Sequence, residues 1–178
     1  VLSSLKRGTG TVVKESAKME KMLVRGVTKD TNVARISIID LPDIPGIAFK
    51  IFAKLASKNI NVDIILQSIG REGSKDISFT VAGDNGDEAV DILKTAIPEL
   101  DDKKILCETN IAKVSVVGAG METHPGAAAM MFEALYEQNI NIQMISTSEI
   151  KISVLIDKKD ADRAVSAVHD KFFPEENG

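Results

Sequence analysis

A chain of 178 residues with 44% apolar content can bury a core as one or two domains. A formal charge of −4, one Tyr and no Trp leave no broad cationic face and few stacking platforms, which argues against nucleic acid as a partner. The single cysteine, Cys107, excludes an internal disulfide, and no apolar run approaches the roughly twenty residues of a membrane helix. No secretory signal opens the chain, so a reducing, cytoplasmic setting without membrane attachment is expected.

Residues 1–20 are polar, glycine-containing and weakly patterned, and read as a tail or linker. Opening on Val1 rather than Met, the sequence reads as trimmed or excised from a longer polypeptide. A short β-type run follows at 22–28. Val33 to Asp40 alternates, with Ala34, Ile36 and Ile38 on one face and Arg35 and Ser37 on the other, as in a strand with one buried face. Leu41-Pro42-Asp43-Ile44-Pro45-Gly46 is expected to break it. Ile47, Ile51 and Leu55, with Ala48 and Phe52, recur at helical spacing to about Ser57. Strands are expected at 62–69 and 77–82, a helix at 87–96 stopped by Pro98, and a strand at 104–108, giving the order βαββαβ. A second series runs strand 111–118, helix 126–138, strands 142–148 and 151–156, and helix 159–172. The end, 174–178, reads as a disordered tail.

The two series are one unit written twice. With a shift of 80, Pro45-Gly46 falls on Pro125-Gly126, Ala48 on Ala128, Phe52 on Phe132, Leu55 on Leu135 and Asn59-Ile60-Asn61 on Asn139-Ile140-Asn141. The shift is 78 upstream, where Arg35 meets Lys113, and 75 downstream, where Ile77-Ser78 meets Ile152-Ser153, so the slippages fall in loops. The second copy lacks a final strand, and the spare strand at 22–28 is the candidate to complete it. The expected fold is therefore α+β: two ferredoxin-like βαββαβ units, the first inserted into the second, with helices on one face of antiparallel sheets. The first unit takes 30–109, the second 21–29 plus 110–173. Ile39, Val117 and Leu155 point away from the helices, which suggests that this face meets another subunit.

A βαββαβ repeat with Pro-Gly between first strand and first helix resembles the ACT domain, an amino-acid-sensing module. Met22-Leu23-Val24-Arg25-Gly26-Val27-Thr28, Asp43-Ile44-Pro45-Gly46, Val62-Asp63-Ile64-Ile65-Leu66-Gln67, Val117-Gly118-Ala119-Gly120-Met121 with His124-Pro125-Gly126, and Ile145 to Ser153 are similar to the regulatory region of aspartate kinase. The resemblance covers 21–173, and the segment Ser3 to Thr11 looks like the run that leaves the catalytic domain. It implies a parent that phosphorylates L-aspartate with ATP on the route to lysine, threonine and methionine, feedback-inhibited by threonine and/or lysine. It also implies a homodimer through the ACT units and a catalytic kinase domain or subunit as partner. ATP and Mg²⁺ belong to that catalytic part, since this sequence holds neither a phosphate-cradling loop with lysine nor a carboxylate cluster for magnesium, and it is expected to be inactive alone.

A free amino acid needs donors and acceptors close together. The turn 43–48 can supply both: Gly46 opens a helix whose first N–H groups favour an anion, and Asp43 can take the ammonium. The plainer reading of Asp43 is a helix cap. Gln67 offers an amide that can read a hydroxyl, or is simply an exposed strand glutamine. The resemblance implies an effector held by Asp43, Gly46, Ile47, Ala48 and Gln67 of one chain with Asn141 and Ile142 of its partner. The second copy departs from this, with Thr123 opposite Asp43 and Thr147 opposite Gln67; Met121, Glu122 and Glu149 are candidates for a second effector. A hydroxyl-reading glutamine favours threonine over lysine, although Asp63 or Glu149 offers a carboxylate to a lysine ammonium.

Gly118-Ala119-Gly120 lacks the third glycine of a dinucleotide fingerprint, and two histidines with one distant cysteine do not make a metal site. Cys107 has no basic neighbour to activate it and reads as an inert thiol. Two other readings remain: an ACT-type regulatory subunit of another amino-acid pathway enzyme, such as acetohydroxyacid synthase, and a ferredoxin-like enzyme, which the absence of a nucleophile–base pair disfavours.

Overall fold

The computed structural model describes residues 23–69, 73–96, 104–119 and 126–174. The expectations for 1–20 and for 175–178 lie outside them. Among the described residues, eight strands and four α-helices follow in the order β1 (Leu23–Asp30), β2 (Val33–Pro42), α1 (Ile47–Ala56), β3 (Ile65–Ile69), β4 (Ser74–Ala82), α2 (Gly86–Ala96), β5 (Ile105–Glu108), β6 (Ile111–Ala119), α3 (Ala127–Glu137), β7 (Met144–Ser148), β8 (Lys151–Asp157) and α4 (Ala161–Phe172). They form two four-stranded antiparallel sheets, ordered β3-β4-β2-β5 and β1-β6-β8-β7. The first unit is continuous in sequence. The second takes its edge strand β1 from before the first, pairing Asp30 with Lys113 and Val27 with Val116.

Each sheet carries its two helices on one face. Ala34, Ile36 and Ile38 of β2, alternating as the sequence predicts, pack with Ile77 and Phe79 of β4 against Ile47, Ile51 and Leu55 of α1. Phe52 meets Phe79 edge to face, with centroids 5.4 Å apart. The second core repeats this with Val114, Val116, Ile152 and Val154 under Met131, Leu135 and Val168.

Two repeated motifs have local physical causes. Gly46 and Gly126, preceding α1 and α3, take φ of 92° and 106°, the left-handed region that glycine adopts without steric penalty. Asn59 and Asn139 take φ of 58° and 54° just past the same helices. There Ile60 N–H donates to the Leu55 carbonyl (3.1 Å) and Ile140 N–H to that of Leu135 (2.9 Å), closing each helix with a Schellman turn. Asn61 and Asn141 have no such local role.

One boundary differs from expectation. β2 does not stop before Leu41-Pro42 but runs through it, because the register shifts between Ile38 and Leu41. Asp40 absorbs the bulge at φ 57° and its N–H donates to the Asp76 carboxylate (2.8 Å), which lets Leu41 turn into the core.

The helix-free faces of the two sheets meet in a seam with approximate twofold symmetry. Val33 and Ile64 of the first unit pack with their repeat equivalents Ile111 and Met144, and with Leu155. Lys113 Nζ binds Asp63 (2.5 Å) and reaches Asp30 (3.6 Å). Its equivalent Arg35 binds Glu108 and donates to the Gln143 carbonyl (3.3 Å). Leu155 is thus buried inside one chain rather than offered to another subunit, while Ile39 is exposed and Val117 half-buried.

Candidate functional site

At the far end of β2 the chain turns through Asp43 and Gly46 into α1. Gly46 is the N-cap residue, and no side chain caps the helix. Asp43 therefore does not cap; its carboxylate pairs with Lys75 Nζ at 2.7 Å. Lys50 N–H reaches back to the Gly46 carbonyl (3.0 Å), whereas the N–H groups of Gly46, Ala48 and Phe49 find no hydrogen-bond acceptor among the described residues. A helix start with open N–H groups attracts a carboxylate.

Gln67 lies on the edge strand β3 opposite Ile77, a core residue, and so shares the helix side of the sheet with α1. Lys75 is opposite Ile69 in the same ladder, which makes Gln67 its diagonal neighbour at about 7–8 Å. Asp43, Lys75, Gln67 and the open amides thus surround one corner of the first sheet. Lys75 was not anticipated from the sequence, because its place depends on the β2 bulge and on strand register. Ile47 is buried in the core, so only its backbone can face a ligand, and Ala48 is partly buried against the same core.

Asn141 and Ile142 lie elsewhere in the same chain. The next residue, Gln143, contacts Arg35 near the start of β2, and Asp43 is eight residues further along, about 25 Å of extended chain. One chain does not bring the two halves of the expected site together.

A family model described as ACT domain matches residues 36–97 and again 114–172, the two units just described. The chain belongs to the ACT domain family. It is 45% identical over 177 residues to an aspartokinase of Mycolicibacterium smegmatis, an alignment covering 97% of this chain and 42% of that protein. The regulatory subunit of aspartate kinase from Thermus thermophilus superposes with a TM-score of 0.78 at 39% identity, covering 84% of this chain and 99% of that one. Aspartate kinase from Synechocystis superposes with a TM-score of 0.77 at 44% identity, covering 85% of this chain and 27% of that one. The ACT pair matches the regulatory region of aspartate kinases, and the chain spans about two fifths of the length of the curated relatives it matches.

The second ACT unit repeats the frame without the charges. Thr147 pairs with Ile152 where Gln67 pairs with Ile77, and the equivalent of Lys75 is the exposed Ile150. Glu149 is exposed in the β7–β8 turn. Met121, Glu122 and Thr123 lie outside the described residues. Asp63 is engaged by Lys113, and its carboxyl is held below the ordinary range chiefly by that hydrogen bond. Burial, then the carboxylates of Asp87 and Glu108, push the Cys107 thiol up, which keeps it protonated and unreactive. No described helix is long and apolar enough to cross a membrane.

Proposed function

We propose that this ACT pair is the amino-acid-sensing part of an aspartate kinase, binding threonine, with lysine as the next choice, at the α1 corner. The observation that carries the reading is the ion pair of Asp43 with Lys75 beside the open amides of α1 and the amide of Gln67, which has no partner among the described residues. A zwitterion exchanges into that arrangement with its charges matched: ammonium on Asp43, carboxylate on Lys75 and the helix N–H groups, and a side-chain hydroxyl on Gln67. The parent enzyme phosphorylates L-aspartate with ATP, and the bound effector feeds back on it.

A second copy of the chain completes the site with Asn141 and Ile142. The separation of the two halves within one chain supports this, as does the edge strand β3, which exposes Ile65, Leu66 and Ile69, the last by 91%. To inhibit, the effector must prefer one arrangement of the assembly; moving a 1:99 balance to 99:1 takes about 5.5 kcal/mol, which two equivalent sites can share.

Calorimetric titration with threonine, lysine, methionine, isoleucine and valine tests the reading. Heat with threonine or lysine is expected, and branched-chain binding instead would assign the chain to a different pathway enzyme. Silence across the panel would remove the sensing role.

A further inference from the structure

The seam between the two ACT units contains a cavity of about 430 Å³, within the range of small-molecule sites. It opens near Val33, at the start of β2, so the length of that strand, about 30 Å, separates it from the α1 corner. Residues from both units line it.

The approximate twofold axis shows what is particular here. On the cavity side, charges alternate in a row: Asp30 to Lys113 (3.6 Å), Lys113 to Asp63 (2.5 Å), Asp63 to Lys151 (3.9 Å). On the other side the row is Glu108, Arg35 and the backbone carbonyl of Gln143, and it ends there. The equivalent of Lys151 is Asp76, already committed to the Asp40 N–H at 2.8 Å. That half of the seam therefore closes without a counterpart of the Asp63–Lys151 pair among the described residues. A smaller side chain also leaves room. Thr80, whose hydroxyl accepts from the Ile64 N–H (3.0 Å), lines the cavity where the other side has the larger Leu155, buried in the apolar seam.

Among the described residues, the ion-pair partner of the Lys151 ammonium is one carboxylate at 3.9 Å, itself shared with Lys113. Asn59, Asn61 and Asn85 line the same cavity, and their side-chain amides have no hydrogen bond among the described residues. At the opposite end of the row, Asp30 accepts from the Asn32 N–H (2.9 Å) and faces Lys113, with further lone pairs open. The row is neutral overall, with its positive end at Lys151 and its negative end at Asp30.

We propose that this cavity is a second small-molecule site, contained within one chain, for an α-amino acid whose carboxylate is anchored by Lys151 and the asparagine amides and whose ammonium faces Asp30. Its occupant touches both units at once and stiffens the angle between them. The site stands independently of the α1 corner.

The test is NMR titration of the full, isotopically labelled chain with each of the twenty common L-α-amino acids, and with L-lactate and L-malate, which carry carboxylates without an ammonium. At least one amino acid is expected to shift the side-chain signals of Lys151, Asn59 and Asn61. Lys151→Met should weaken that binding about tenfold or more, the scale of one charge-assisted hydrogen bond, while Lys151→Arg keeps it and Gln67→Ala leaves it unchanged. If Lys151→Met loses its folded spectrum, Asn61→Ala, at an exposed position, takes its place with the same expected weakening. Lactate or malate binding as well as the best amino acid would overturn the ammonium assignment to Asp30. No response at these residues from any probe, or a response abolished by Gln67→Ala, overturns the site. Loss of threonine binding at the α1 corner with the seam response kept would count against the proposed function alone.

Discussion

At the start of α1, Gly46 sits at φ 92° with Asp43 and Lys75 paired beside it and Gln67 on the neighbouring strand. At the start of α3, Gly126 sits at φ 106°, and the equivalents of Lys75 and Gln67 are Ile150 and Thr147. The backbone frame is the same and the charge is not. The glycine turn is therefore a requirement of the fold, retained wherever this helix must follow this strand, whereas the ion pair and the amide are particular to the first unit. A Pro-Gly turn alone does not identify a ligand site.

The units differ first in how they are closed, and removing β1 breaks the comparison most severely. Deleting residues 23–29 should abolish hydrogen-exchange protection throughout the second unit while β2 to β5 stay protected, because only the second sheet uses β1. Full protection of both units in the deletion variant would refute the dependence.

Binding sharpens the contrast next. Asp43→Asn is expected to weaken threonine binding by roughly ten- to a hundredfold, the scale of a lost charge-assisted contact, and Gln67→Ala by about tenfold. Thr147→Ala should leave it unchanged; a loss there equal to that of Gln67→Ala would mean the two corners are equivalent after all. Gly46→Ala and Gly126→Ala should each cost about 1–2 kcal/mol in denaturant unfolding, since both force a Cβ into the left-handed region, yet only the first should also disturb threonine binding.

The smallest effect is a pH dependence at the seam. The folded pKa of Asp63 is lowered, first by the hydrogen bond from Lys113, so its stabilisation is complete above the unfolded value of about 3.9 and is lost as pH falls through the folded value. The stability gap between the wild type and Asp63→Asn should accordingly be widest near neutrality and shrink as pH drops below about 4. A gap that does not change with pH would show that the carboxylate contributes nothing through its charge.

Much of this architecture was legible beforehand. The period-2 runs and the helical stripes located the strands and helices of both units, and the missing strand of the second copy pointed to β1 as its completion. The corner was legible only in part. Asp43 and Gln67 stood out by residue type, but Lys75 reaches Asp43 through a bulge that alternation does not reveal. Leu155 reads as outward-facing because it alternates away from α3 and α4; that the first unit covers it is a tertiary fact. The reciprocal seam did leave a signal: Asp30-Thr31-Asn32-Val33 and Glu108-Thr109-Asn110-Ile111 match at the same shift as Arg35 and Lys113, placing like residues at both crossings.

Those crossings have a kinetic consequence. The first unit can form all its strand pairs within its own segment, but β1 and β6 must find each other across the whole of it. Once the inserted unit has formed, Asp30 and Ile111 stand at its two ends, close enough for the Asp30–Lys113 pair, and the entropy of closing that long loop is no longer an obstacle. The guest module is therefore expected to fold before its host, and the host to nucleate at the Thr-Asn joints.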